Sequence, residues 1–347
     1  MKSNTVSFWR IILTFAIVLL HIGYGRGSYI AVEFFFVLSG FLLAKKVYSP
    51  SGSLGVLRYI WNRFVRLYPI YVISIITYIM ILEYQATPTE FFMNGLRDIP
   101  GFWKQLLMLT PFGNPPAFFV NIPAWYVCVL FYVSIALFIL LKYVPKKVIL
   151  PFLTVVAIII LGYYFYTVGN LDLFEGYQEI SIRDSKIVLG SDGVFRGIAE
   201  MSLGVVLYNI YDKTQDKIKP SNIVVCHIVE FGLFISVIVA SIFIYHTRLD
   251  YIYLLVILIC VYFAFLPYDN RIFNNRFINY LGGLSYSIYL NHAIFAWVVF
   301  SGYANQWTFT RVMIYIFCVI ITAAIVDLPV RLINMALKRG RKNEKVL

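Results

Sequence analysis

Charge is what this chain lacks. Asp, Glu, Lys and Arg make up only 13% of its 347 residues, about half the roughly 25% of a soluble domain. Connecting stretches are short, the longest near 84–117 and 169–193, so no separate soluble domain fits between the apolar runs. Cys128, Cys226, Cys260 and Cys318 lie in or beside those runs without CxxC spacing. That excludes a disulfide framework or a cysteine metal site and leaves four small apolar packing residues. HExxH, a Walker loop, GxGxxG after a strand and GxSxG are all missing, which removes the standard metal, nucleotide and serine-hydrolase motifs. Neither an inverted repeat nor a low-complexity segment is visible.

Apolar residues are what the chain has: 61% are hydrophobic, 18% aromatic, and the mean hydropathy is +0.79. A bilayer crossing takes about 20 apolar residues, in helical form because lipid offers backbone groups no partner. Ten runs fit: 8–24, 29–47, 69–83, 118–141, 148–168, 194–210, 223–245, 251–267, 277–301 and 311–333. The third and sixth are short or interrupted. The expectation is an all-α integral membrane protein, a bundle of about ten transmembrane helices. The opening MKSNTVSFWR has the charge of a signal peptide, but Arg10 and His21 interrupt the apolar stretch and no small-residue cleavage site follows. It is therefore expected to stay as an uncleaved first span.

A net charge of +12 invites a nucleic-acid reading, which the distribution argues against. Lysines and arginines fall at the ends of apolar runs, where they set orientation and meet anionic lipid headgroups. With the N-terminus in the cytoplasm, 20 of the 29 basic residues lie inside. Eight lie outside: Arg26, Arg97, Lys104, Arg183, Lys186, Arg196, Arg248 and Arg311. The remaining one, Arg10, is within the first span. The bias keeps its sign through every loop and predicts both termini cytoplasmic. Residues 1–336 form the membrane domain, and 337–347 a basic cytoplasmic tail without regular structure. Between the second and third spans, Leu57, Ile60, Trp61, Phe64 and Val65 share one helical face, the pattern of an amphipathic helix in the cytoplasmic interface.

Polar residues within spans are the functional candidates. Arg10 and His21 are eleven residues apart, close to three helical turns, so both point one way and lie roughly 16 Å apart along the axis. His21, toward the outer end, is either a general base for an outward-facing hydroxyl or a packing histidine. Arg10, toward the inner end, either snorkels to headgroups or holds a phosphate or carbonyl in a channel. Glu33, near the outer end of span two, is either a partner for His21 or an interfacial carboxylate in water. Ser39 and Gly40 permit close helix approach. Arg63 and Arg66, at i, i+3, either clamp a phosphorylated ligand or contact headgroups. Ser285, Tyr289 and His292 can share one face of span nine; His292 is a second intramembrane histidine, and the three also suit a hydrogen-bonded packing cluster. Asp327 and Arg331 are spaced as a structural pair, and His227 and His246 are treated as structural. No metal site is expected.

Five stretches together resemble the bacterial membrane-bound acyltransferase 3 family, which O-acylates cell-surface glycans. They are Arg10-x10-His21; IAVEFFFVLSGFLL; Arg63-Phe-Val-Arg66-Leu-Tyr-Pro69; SYSIYLNHAIF; and Asp327-Leu-Pro329-Val-Arg331. They occur in order over nearly the whole chain. There are departures. Trp125 is followed by Tyr126-Val-Cys-Val-Leu130, without the fourth-span glutamate many members carry, and Asp327 stands where a glutamate is usual. The hydrolase-like domain fused to some members is not seen, which leaves transfer to the membrane part alone or to a separate protein. The resemblance implies a multi-pass enzyme of the bacterial inner membrane with no tightly bound cofactor. Cytoplasmic acyl-CoA (acetyl-CoA first) would be co-substrate, and a surface glycan or lipid-linked sugar the acceptor. It implies His21, Arg10 and Glu33 as catalytic residues, Arg63 and Arg66 as donor-binding, and Trp125, Ser285, Tyr289 and His292 as cavity lining. Rival readings are a multi-span transporter or an export or assembly factor for polysaccharide.

Overall fold

The computed structural model describes residues 4–49, 54–83, 102–112, 121–173, 176–182, 185–217, 223–266, 275–300 and 306–343. Among them are ten long helices, each overlapping one of the ten apolar runs. They are α1 (Asn4–Leu20), α2 (Ala31–Tyr48), α3 (Val56–Glu83), α4 (Trp125–Tyr143), α5 (Lys146–Thr167), α6 (Asp192–Thr214), α7 (Ile223–Phe243), α8 (Asp250–Ala264), α9 (Arg276–Ile294) and α10 (Phe309–Asn343). The segments Arg26–Tyr48, Ile122–Tyr143, Lys146–Thr167, Val224–Phe243 and Phe309–Leu332 are long and apolar enough to cross a membrane. α1 has 17 residues and α8 has 15, somewhat short of the roughly 30 Å hydrocarbon core at 1.5 Å per residue. α3 and α6 carry several charges.

The molecule is apolar outside and charged within. Leu57 on α3, Phe243 on α7 and Phe309 on α10 are among its most exposed side chains, whereas Glu33, Arg196, Glu200 and His292 are buried. That inversion is expected where lipid surrounds the bundle and ionisable groups face inward. With the helical content it makes the chain a multi-pass α-helical membrane protein.

Three differences from the sequence reading stand out. First, the amphipathic stretch and the third span are one continuous helix, α3, running through Pro69. Proline supplies no amide to the carbonyl four residues back but has a helix-compatible φ, and close by the Tyr286 hydroxyl donates to the Leu67 carbonyl at 2.8 Å. Second, the 169–193 connection contains an antiparallel hairpin, Tyr177–Ile182 with Ser185–Ser191, so the fold is not purely helical. Third, α10 runs to Asn343, past the expected start of an irregular tail. Of the longest connection, 84–101 and 113–120 lie outside the described residues.

α2 packs most extensively on α6, and glycine is the reason. A Cβ on Gly40 would overlap the Met201 carbonyl, and one on Gly204 would overlap that of Val37, so each helix presents a glycine where the other's backbone passes. α1 packs on α9 in the same manner, with Gly282 against Ser7. At one end of the bundle Lys142 donates to the Leu54 carbonyl at 2.8 Å, and Lys146 lies 3.8 Å from Asp212. At the other end Asp250 accepts from the Tyr29 hydroxyl (2.8 Å) and the Leu171 amide (2.9 Å). The helices between these ends therefore alternate in direction.

Candidate active site

Among the described residues, a larger and a smaller cavity open between these helices. The larger, about 560 Å³, is lined by Arg10 and Thr14 of α1, Ser39 and Lys46 of α2, Tyr59, Asn62, Arg63 and Arg66 of α3, Tyr126 of α4, Ser285, Tyr286 and Tyr289 of α9, and Asp327 and Arg331 of α10, with apolar neighbours. Five basic side chains thus meet one acidic one, and that one, Asp327, is paired with Arg331. Arg63 Nε and Nη2 are buried without a hydrogen-bond partner among the described residues. The polar edge of α3, with Asn62, Arg63 and Arg66, faces this cavity, while Leu57 and Trp61 are exposed. The two arginines are therefore directed inward, where a second arginine source, α1, joins them.

The smaller cavity, about 200 Å³, is lined by Ile17, Leu20, His21, Tyr29, Val32, Ile122, Pro123, Trp125, Asp172, Arg196 and Tyr289. Tyr289 lines both. Its hydroxyl donates to the Pro123 carbonyl at 2.7 Å, which fixes the ring between the two spaces. Arg10 on α1 and His21, the residue after its end, open into different cavities.

His21 follows the last residue of α1, where a helix leaves carbonyls without amide partners. His21 Nδ1 is 2.9 Å from the Ile17 carbonyl oxygen, and His292 Nε2 is 3.2 Å from the same nitrogen. His292 Nδ1 in turn is 2.6 Å from the Tyr289 carbonyl oxygen. The ring centroids lie 4.7 Å apart at 70°. Two histidines 271 positions apart in the chain are thus in direct contact.

Glu33 does not join them. It points from α2 toward α6, its main packing partner, and its Oε1 is 2.8 Å from Arg196 Nη2. Arg196 Nε donates to Glu200 Oε1 at 3.1 Å and Nη2 to the Tyr29 carbonyl at 3.1 Å. The guanidinium also lies 5.9 Å from the Trp125 ring. Arg196, counted from sequence with the outer loops, is a buried helix residue held by two carboxylates, because an isolated charge at that depth is costly. Arg196 and Glu200 stand at i, i+4 inside an apolar run, a spacing that signals such a pair. Asp172, also missed from sequence, lines the His21 cavity and accepts from His246 at 2.9 Å.

The remaining sequence candidates divide between the two spaces. Trp125 lines the smaller, and Ser285, bonded to the Gly282 carbonyl at 2.9 Å, lines the larger. Cys128, Cys226 and Cys260 are buried and unbridged.

No curated protein and no solved structure matches the chain. The family model described as an acyltransferase domain, that of the acyltransferase 3 family, matches residues 4–330. That range contains every residue named around the two cavities except Arg331, so the chain belongs to the acyltransferase 3 family and is a membrane acyltransferase.

Proposed function

We propose that this protein moves an acyl group, acetyl in the first instance, from cytoplasmic acyl-CoA to a hydroxyl of an extracytoplasmic or lipid-linked glycan in the bacterial inner membrane. The observation that carries the reading is the pair of cavities meeting at Tyr289, one cationic, with Arg63 Nε and Nη2 buried and unpartnered among the described residues, and one holding His21. Guanidinium donors match phosphate geometry, so Arg10, Arg63 and Arg66, with Lys46, hold the donor's phosphates. The thioester end then reaches toward Tyr289. On the far side His21 takes the proton of the acceptor hydroxyl as its oxygen attacks the thioester carbonyl carbon. The C–S bond breaks, the ester forms, and the proton passes from the imidazolium to the departing thiolate. Glu33 acts through Arg196, keeping that guanidinium at the edge of the acceptor cavity.

A transporter has no need for a base facing one cavity and a cationic phosphate site in the other. Vesicles containing the purified protein, given labelled acetyl-CoA and a glycan acceptor, should release free CoA and label the glycan. Mass spectrometry of surface glycans from a deletion strain, complemented with wild type or His21→Ala, identifies group and acceptor. Restoration of the wild-type glycan mass by His21→Ala would reject the base assignment.

A further inference from the structure

The contact between His21 and His292 fixes more than proximity. Each imidazole has its Nδ1 against a backbone carbonyl, Ile17 for His21 at 2.9 Å and Tyr289 for His292 at 2.6 Å. A carbonyl oxygen only accepts, so both Nδ1 atoms must carry hydrogen. In a neutral imidazole the other nitrogen then bears the lone pair. His292 Nε2 is thus an acceptor, and the donor 3.2 Å from it is the Nδ1–H of His21, shared between His292 and the Ile17 carbonyl. The opposite assignment would set lone pairs against both carbonyls.

We infer that His292 is a positioning residue: it accepts the Nδ1–H of His21 and holds that ring with Nε2 as its basic nitrogen. The inference rests on His21 being the base proposed above. The arrangement has the logic of a base oriented through its far nitrogen by a second group, here a neutral imidazole in place of a carboxylate. His292 is itself held firmly. It is fully buried, and the Tyr315 hydroxyl lies 3.2 Å from the Val18 carbonyl and 3.5 Å from that of His292, tying α10 to both histidine-bearing segments. Once His21 takes a proton on Nε2, its Nδ1–H becomes a charged donor and the bond to His292 strengthens. The other ionisable side chains lining the His21 cavity are Asp172, Arg196, Tyr29 and Tyr289. All four are already engaged: Arg196 with Glu33 and Glu200, Tyr29 with Asp250, Tyr289 with the Pro123 carbonyl and Asp172 with His246.

Two isosteric replacements separate this role from a purely structural one. His292→Asn places its amide near the Nδ1 position and keeps the bond to Tyr289, but loses the acceptor for His21. His292→Gln places its carbonyl near the Nε2 position and keeps the acceptor. The positioning role predicts kcat on acyl-CoA lowered about 100-fold in His292→Asn and His292→Ala, and within about tenfold of wild type in His292→Gln. KM for acyl-CoA should be unchanged in all three. Asn equal to or better than Gln would overturn it, as would wild-type kcat in His292→Ala. Independently of activity, nitrogen NMR of the ¹⁵N-histidine-labelled protein in lipid, with only four histidines to assign, should show His21 and His292 both as Nδ1–H tautomers. An Nε2–H tautomer at His292 would overturn the assignment. Absence of any acyl transfer by the wild type would instead reject the proposed function, and the tautomer spectrum would still decide the hydrogen bond.

Discussion

The two cavities treat their cations in opposite ways. In the smaller one, Arg196 is compensated on the spot by Glu33 and Glu200 and lies near the Trp125 ring. In the larger one, Arg10, Lys46, Arg63 and Arg66 gather with one carboxylate, Asp327, which Arg331 already occupies. A cation neutralised within the fold stabilises the fold. Cations left uncompensated in a membrane interior are costly, and their cost is offset when an anion arrives. Arg196 holds α2 to α6, while the other group has the charge that the proposed phosphorylated donor would need.

The sharpest way to break this comparison is at the boundary between the cavities. His21→Ala should lower acyl transfer by about 10²–10⁴-fold, the usual contribution of a general base, while purified protein keeps its thermal transition. A variant that also loses its fold would make His21 a packing residue.

Next comes the compensated cation. Arg196→Met leaves two buried carboxylates facing each other and should destabilise by about 3–5 kcal/mol, read as a large drop in Tm and in yield from membranes. Adding Glu33→Gln and Glu200→Gln should recover most of that loss. Lack of any recovery would mean the arginine acts through something other than its two acidic partners.

The uncompensated group should behave in the reverse sense. Arg63→Ala removes buried donors that have no partner among the described residues, so stability should hold or rise slightly. KM for acyl-CoA should rise about 10- to 100-fold, as expected for lost charge-assisted bonds of about 1.5–3 kcal/mol. Loss of stability with unchanged KM would place Arg63 with Arg196. The smallest effect belongs to Lys46, partly exposed at the same cavity. Lys46→Ala should raise KM about twofold to fivefold at low salt, and the difference should shrink as salt is raised.

Much of this was legible in the chain. Ten apolar runs foretold where the ten long helices of the described residues lie, and the first run holds Arg10 on α1 with His21 just past its end. The i, i+3 spacing of Arg63 and Arg66 put both on one face of α3. These are local matters, set by helical periodicity and by the cost of unpaired backbone in lipid. Partners were not legible. Glu33 and His21 share an outer end in sequence terms, yet Glu33 turns to Arg196 because Gly40 and Gly204 bring α2 against α6. The apolar residues of α3 suggested a helix lying on the membrane surface, yet its arginines turn inward because α1 and α9 supply the rest of a cavity there. His21 meets His292 across 271 residues. By itself the sequence determined which segments are helices and which polar side chains share a face. Only the tertiary structure decided which charge neutralises which and which residue meets His21, since periodicity extends along one helix while hydrogen bonds and ion pairs join helices far apart in the chain.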